Sequence, residues 1–365
     1  MYKKIFKFLI SSTVFGKQSS LLKTFNSRPL TNPFFIKDLK FKNPSYFLST
    51  ESVLFSRPIP VINKHSKTFN KYLLLGTFFG LFPNSKDEEN DSELITTIKR
   101  AILLIQRDEF KSAEQMLHLA LKIAQEQQNE DGITYIYDLL ANLAFAQGHH
   151  SKAEKLFLGV LQRLTSKGIQ EDDLKINHVS LKLAKIYEEK TDFNKAEEGY
   201  KFCLKNLDHK VQSPGPGSAN EDAVVLLAMT LDWYARFLLE RDRLEEALNY
   251  FKKAYDLCIS IYGEIHEQTV VLLNDLGTIS FLKGNMEDAM DYLNKAVEIG
   301  RHLPNMEDLS SVYVNLGNMY LQKRMFDEAK KYCKEGWQNA KRHKNSDGLQ
   351  EATLCLDELN KAMKV

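Results

Sequence analysis

The chain has only four cysteines in 365 residues, Cys203, Cys258, Cys333 and Cys355. Their spacings of 55, 75 and 22 match no zinc-binding pattern. Each falls on a packing face of a predicted helix, so buried reduced thiols are expected. Nine histidines are scattered with no His-Glu-x-x-His, and His149-His150 falls in a turn. The glycines form no phosphate-binding loop, because Gly215 and Gly217 alternate with prolines. No serine or cysteine sits in a recognisable nucleophile frame. These absences leave no case for an enzyme and none for a metal or organic cofactor.

A long apolar run is also missing. The nearest candidate is Tyr72 to Phe82, eleven apolar or small residues that span about 16 Å as a helix, half a bilayer core. Polar flanks, Lys67 and Lys71 before it and Pro83 with Lys86-Asp87-Glu88-Glu89 after it, leave it too short to cross alone. Two readings remain open: packing against the helical part of the chain, or burial at a membrane surface.

Acid is scarce at the N-terminus. Residues 1–71 hold thirteen Lys/Arg against Asp38 and Glu51, a net of +11, while the remainder holds 36 basic and 46 acidic residues, a net of −10. A basic, Ser/Thr-rich, acid-poor leader has the composition of an organellar transit peptide. Lys3, Lys4 and Lys7 fall on one helical arc opposite Ile5, Phe6 and Leu9, and Lys7 interrupts the apolar core that a secretory signal requires. Pro29, Pro33, Pro44, Pro58 and Pro60 argue against a folded domain there.

What is present is a repeat. Ala113, Ala153, Ala196, Ala247, Ala289 and Ala329 occupy one small-residue frame, with steps of 40, 43, 51, 42 and 40 residues. Around Ala289 the frame reads Leu276-Gly277, Ser280, Leu293 and Ala296. Around Ala247 it reads Tyr234-Ala235, Leu238, Phe251 and Ala254. Positions three, four and seven apart share a helix face, so each frame describes two antiparallel helices meeting at small residues. Short polar turns separate the two helices, among them Gln147-Gly148-His149-His150 and Lys283-Gly284-Asn285. A period near 42 is the mark of stacked helix pairs. The 51-residue step contains the Pro/Gly/Ser stretch Val211–Asn220, a loop insertion over 209–221.

The frame resembles the tetratricopeptide repeat over residues 92–342, although the closing proline of each repeat is absent and the period exceeds the usual 34. The expected fold is all-α, a right-handed superhelical solenoid of about six helix pairs. The domain order is a transit peptide or leader over 1–70, an apolar segment and acidic linker over 71–91, the array over 92–342, and a capping helix over 343–365, with Leu349, Ala352, Leu356, Leu359 and Ala362 apolar.

Such an array offers a concave face to another protein. By helix position the groove candidates are Ile98, Ile102 and Ile105, with Ile95 part of the same stripe, then Asp138, Asn142 and Phe145, Lys185, Asp232 and Arg236, Asn274 and Thr278, and Asn315 and Asn318. The asparagines could bond an extended peptide backbone or merely satisfy neighbouring helices. An acidic array disfavours nucleic acid, and nothing points to a small-molecule substrate.

Several stretches go further than the generic repeat. Ile133 to Gly148 (ITYIYDLLANLAFAQG), Ser180 to Tyr187 (SLKLAKIY), Ala196 to Leu204 (AEEGYKFCL) and Tyr262 to Thr269 (YGEIHEQT) resemble the family of mitochondrial tetratricopeptide repeat protein 19, the last also kinesin light chain. The Pro/Gly loop is unlike the longer charged insertion of that family. The resemblance implies a non-enzymatic factor of the mitochondrial inner membrane, matrix side, that maintains respiratory complex III. It implies complex III subunits and the Rieske iron–sulfur protein as partners, with clearance of Rieske fragments as the task. The competing class is a cytoplasmic adaptor of kinesin-light-chain type, but residues 1–90 show no heptads for its coiled coil.

Overall fold

The alanine frame becomes a backbone frame in the computed structural model, which describes residues 92–212 and 220–364. Asp108, Gly148, Thr191, Asp242, Gly284 and Arg324 all have φ between 59° and 86°. Each stands five residues before a frame alanine. The following residue donates its N–H back to the carbonyl five positions earlier, as from His149 to Ala144, Asp192 to Tyr187, Arg243 to Leu238 and Met325 to Tyr320. This left-handed closure ends the first helix of each pair, and the 6→1 bond satisfies a carbonyl that the helix end would leave open. The alanine N–H then closes the first turn of the second helix, as from Ala247 to Arg243 and Ala329 to Met325.

Among the described residues there are thirteen helices: α1 Glu93–Gln106, α2 Phe110–Glu126, α3 Glu130–Ala146, α4 His150–Ser166, α5 Leu174–Glu189, α6 Phe193–Gln212, α7 Asn220–Leu239, α8 Leu244–Tyr262, α9 Glu267–Leu282, α10 Met286–Arg301, α11 Leu309–Gln322, α12 Phe326–His343 and α13 Ser346–Ala362. Odd and even neighbours pair from α1–α2 to α11–α12, each even helix packs on the next odd one, and first helices touch across repeats at α5–α7 and α9–α11. The architecture is the all-α superhelical solenoid that the period predicts. α13 packs on both α12 and α11. α6 continues through Gln212 and α7 opens at Asn220, so helix takes up both ends of the stretch expected as loop. The leader and the apolar segment at 72–82 lie outside the described residues. Among the described residues no helix is long and apolar enough to cross a membrane.

All six frame alanines are fully buried. At two crossings the approach is tight. A Cβ on Gly277 would come within 2.8 Å of Leu293 Cγ and 3.1 Å of the Ala289 carbonyl, and one on Gly199 within 2.8 Å of Ala184 Cβ. Large residues fill the space beside each crossing. Phe157, Tyr200, Tyr234, Phe237 and Phe251 are almost wholly withdrawn from water.

The expectation of four reduced thiols is corrected at the C-terminal end. Cys333 on α12 and Cys355 on α13 are joined by a disulfide, with Cα atoms 5.8 Å apart. Cys203 and Cys258 are buried free thiols. Burial pushes the Cys258 thiol up to about 11 and raises that of Cys203 as well.

Candidate functional site: the polar line on the first helices

Counted back from the frame alanines, the predicted groove residues fall in columns. Fifteen residues before the alanine stand Ile98, Asp138, Asp232 and Asn274. Eleven before it stand Ile102, Asn142, Lys185, Arg236, Thr278 and Asn318. These positions lie one helical turn apart on one face of α1, α3, α5, α7, α9 and α11.

The structure gathers these residues in one line but withdraws most of them from water. Asp138, Asn274, Thr278 and Asn315 are 0 % exposed, and Asn142, Asp232, Asn318 and Lys185 are also buried. The isoleucine stripe is placed differently from expectation. Ile98 and Ile105 are core residues packed with Ala113 and Leu117, Ile95 and Ile102 are half-buried, and the apolar side chain that α1 exposes is Leu103. Phe145 is half-buried and meets His150 edge-on.

Within the line, polar groups hold one another. In repeat two, Asn142 Nδ2 donates to the Asp138 carbonyl at 2.7 Å and to its carboxylate at 3.0 Å. In repeat three, Lys185 Nζ donates to Glu188 Oε1 at 2.5 Å, and the other oxygen of Glu188 accepts from the buried Tyr200 hydroxyl at 2.6 Å. Arg236 links repeats four and five, reaching Asp232 at 3.1 Å and Asp275 at 2.5 Å. Asn315 Nδ2 donates to Asn274 Oδ1 at 2.9 Å, linking repeats five and six. Thr278 donates to the Asn274 carbonyl.

Three members missed by sequence reading complete the line: Asn177, Lys182 and Asp275, each fully buried. Lys182 and Asp275 lie fourteen residues before their alanines, in the column that also holds Asn315; reading that column for charge would have found them. Burial lowers the Lys182 ammonium to about 8 against the field of Asp138. Burial, followed by the charge on Lys182, holds His178 well below the usual imidazole range. Burial raises the Asp138 carboxyl, with Lys182 opposing. Burial also raises Asp275 to about 7, opposed by Arg236 and reinforced by Asp232.

The line carries unused hydrogen-bonding capacity of both kinds. Among the described residues no hydrogen-bond partner meets the donors Lys182 Nζ and Asn274 Nδ2, or the acceptors Asp138 Oδ1, Asn177 Oδ1, Asp275 Oδ1 and Asn318 Oδ1. Each buried polar group left unmade costs about 1–3 kcal/mol. Among the described residues no cluster of three His, Cys, Asp or Glu side chains could hold a metal.

Comparison with known proteins agrees with this architecture. The tetratricopeptide repeat model matches residues 226–302, and a second tetratricopeptide repeat model matches 310–336. The chain is 35% identical over 291 residues to the Drosophila melanogaster protein named "Tetratricopeptide repeat protein 19 homolog, mitochondrial", covering 80% of this chain and 78% of that one. It is 35% identical over 281 residues to the Homo sapiens protein named "Tetratricopeptide repeat protein 19, mitochondrial", covering 75% and 74%. Among solved structures, the apo form of RapI aligns with a TM-score of 0.56 at 14% identity over 74% of this chain and 70% of that one. Aspartyl phosphate phosphatase F from Bacillus subtilis aligns with a TM-score of 0.54 at 14% identity over 76% and 73%. These two likenesses concern the fold alone.

Proposed function

The chain belongs to the mitochondrial tetratricopeptide repeat protein 19 family, a protein-interaction array, and from that premise we propose that it serves respiratory complex III at the inner membrane. Its task in this reading is non-enzymatic. It engages complex III subunits and the Rieske iron–sulfur protein, and it helps remove Rieske fragments so that the complex stays functional.

The single observation that carries the binding role is the stack of paired helices itself, an array of the kind that offers a concave face to another protein. An extended polypeptide presents N–H and C=O groups in alternation, and such a chain is the class of ligand that the concave face of a helix-pair array accepts. A fragment of a cleaved subunit is a ligand of that class. The complex is what the resemblance to that family implies, and the basic, acid-poor leader over residues 1–71 fits import into the organelle.

The test is affinity capture of the full chain from mitochondria solubilised in mild detergent. Complex III subunits should be recovered, together with Rieske-derived peptides. Recovery of kinesin-class or chaperone partners in place of complex III would overturn the reading.

A further inference from the structure

The covalent link at the C-terminal end bears on where the array matures. Cys333 and Cys355 are 0 % and 2 % exposed, packed with Val314 and Ala352 and covered by Trp337 and Leu356. Gly317 on α11 makes the room: a Cβ there would stand 2.8 Å from Cys333 Sγ and 3.2 Å from Cys355 Sγ. The Cα separation of 5.8 Å lies in the range that disulfides adopt, commonly about 4.4–6.8 Å. Three helices, α11, α12 and α13, thus converge on one sulfur pair.

We propose that Cys333 and Cys355 form an oxidative maturation site, and that the array therefore folds and resides on the oxidising, intermembrane-space side of the inner membrane. This replaces the matrix side implied by the resemblance. The chemistry is thiol–disulfide exchange. One cysteine thiolate attacks the disulfide of a thiol oxidoreductase, and the second displaces it from the mixed disulfide. The two substrate thiols lose two protons and two electrons, and the oxidoreductase leaves as a dithiol. Once α13 is docked, burial shuts reductants out, so the bond records the compartment of folding rather than sensing its redox state. Disulfides persist in oxidising compartments and are rare where glutathione and thioredoxin keep thiols reduced. The free thiols Cys203 and Cys258 do not compete. Both are buried, and their raised pKa values leave little thiolate to exchange.

The experiment has two arms and does not involve complex III, so its failure is separate from failure of the functional reading. In the first, intact mitochondria are quenched in acid, denatured and treated with N-ethylmaleimide. They are then reduced and treated with a heavier maleimide, and the cysteine peptides are read by mass spectrometry. Cys203 and Cys258 should carry the light label, and Cys333 and Cys355 the heavy one in more than nine chains in ten. Light label on Cys333 and Cys355 in most chains would overturn the site. In the second arm, protease is added to mitochondria and to mitoplasts with the outer membrane opened. The array should be degraded only in mitoplasts while a matrix marker survives. Survival of the array there would overturn the compartment even if the bond is present.

Discussion

Arg236 on α7 reaches across to α9, where its Nη2 lies 2.5 Å from Asp275 Oδ2, while the same nitrogen stands 3.1 Å from Asp232 on its own helix. One guanidinium therefore neutralises two buried carboxylates from successive repeats. A buried pair is costly to break because one charge is left uncompensated, typically by about 3–5 kcal/mol. Arg236→Met is expected to lower the urea-unfolding free energy by about that much, and Asp275→Leu combined with it should restore a large part. Equal losses from the single and double variants would show that the two side chains are not coupled.

The same carboxyl sets a pH dependence. Burial raises Asp275 from 3.8 to about 7. The folded state therefore holds this proton where the unfolded chain has lost it. Its contribution to stability is complete below about 4 and disappears as pH rises through 7. In melting curves taken between pH 4 and 8, Asp275→Asn should lose this part of the decline. A wild-type-minus-variant difference that stays flat over that range would count against a protonated Asp275 in the fold.

Much of the fold was legible because the repeat leaves its mark on both side chains and spacing. The six alanines and their 40 to 51 residue steps gave the helix pairs, and the polar turns between them reappear in the structure. Three features were not legible, each for a physical reason. Thr191, Asp242 and Arg324 take the same left-handed conformation as Gly148 and Gly284, but only glycine announces such a position. The polar residues of α3, α9 and α11 share one face as read from the sequence, but a face read from one helix does not show that the residues on it are buried in the stack. The 22-residue spacing of Cys333 and Cys355 gives no pairing, because the two sulfurs meet only after α13 has folded back on α12.

The close crossings predict opposite signs for two glycine substitutions. Gly277→Ala places a methyl 2.8 Å from Leu293 Cγ and 3.1 Å from the Ala289 carbonyl, and the second of these is backbone that cannot swing away. Overpacking of this kind costs about 1–3 kcal/mol. Gly159→Ala, in the middle of α4, meets nothing within 4 Å. There the lower entropy of the unfolded chain should raise stability by about 0.4–1 kcal/mol. Chemical denaturation of both variants decides it, and a stabilised Gly277→Ala would refute the close-contact role given to the alanine frame.

Lys182 is the charge whose removal should help the fold. Its ammonium is fully buried, stands 5.5 Å from the Phe157 ring centroid and finds no hydrogen-bond acceptor among the described residues. Burial lowers it from 10.5 to about 8. Here the unfolded chain keeps a proton that the folded chain releases, so stability rises as pH climbs from 8 towards 10.5, and the cost is complete below 8. At about 1.4 kcal/mol for each pKa unit, that cost is at most on the order of 3 kcal/mol. Lys182→Met keeps the length and the contact with Phe157 while discarding the charge, although Asp138 loses a compensating cation. The expected result is a higher melting temperature at pH 7, with the gain shrinking through pH 8 to 10.5. A lower melting temperature at pH 7 with an unchanged pH profile would mean that the ammonium is held by a bond worth more than its desolvation. Lys182 would then be a structural contact of the array rather than a cost it bears.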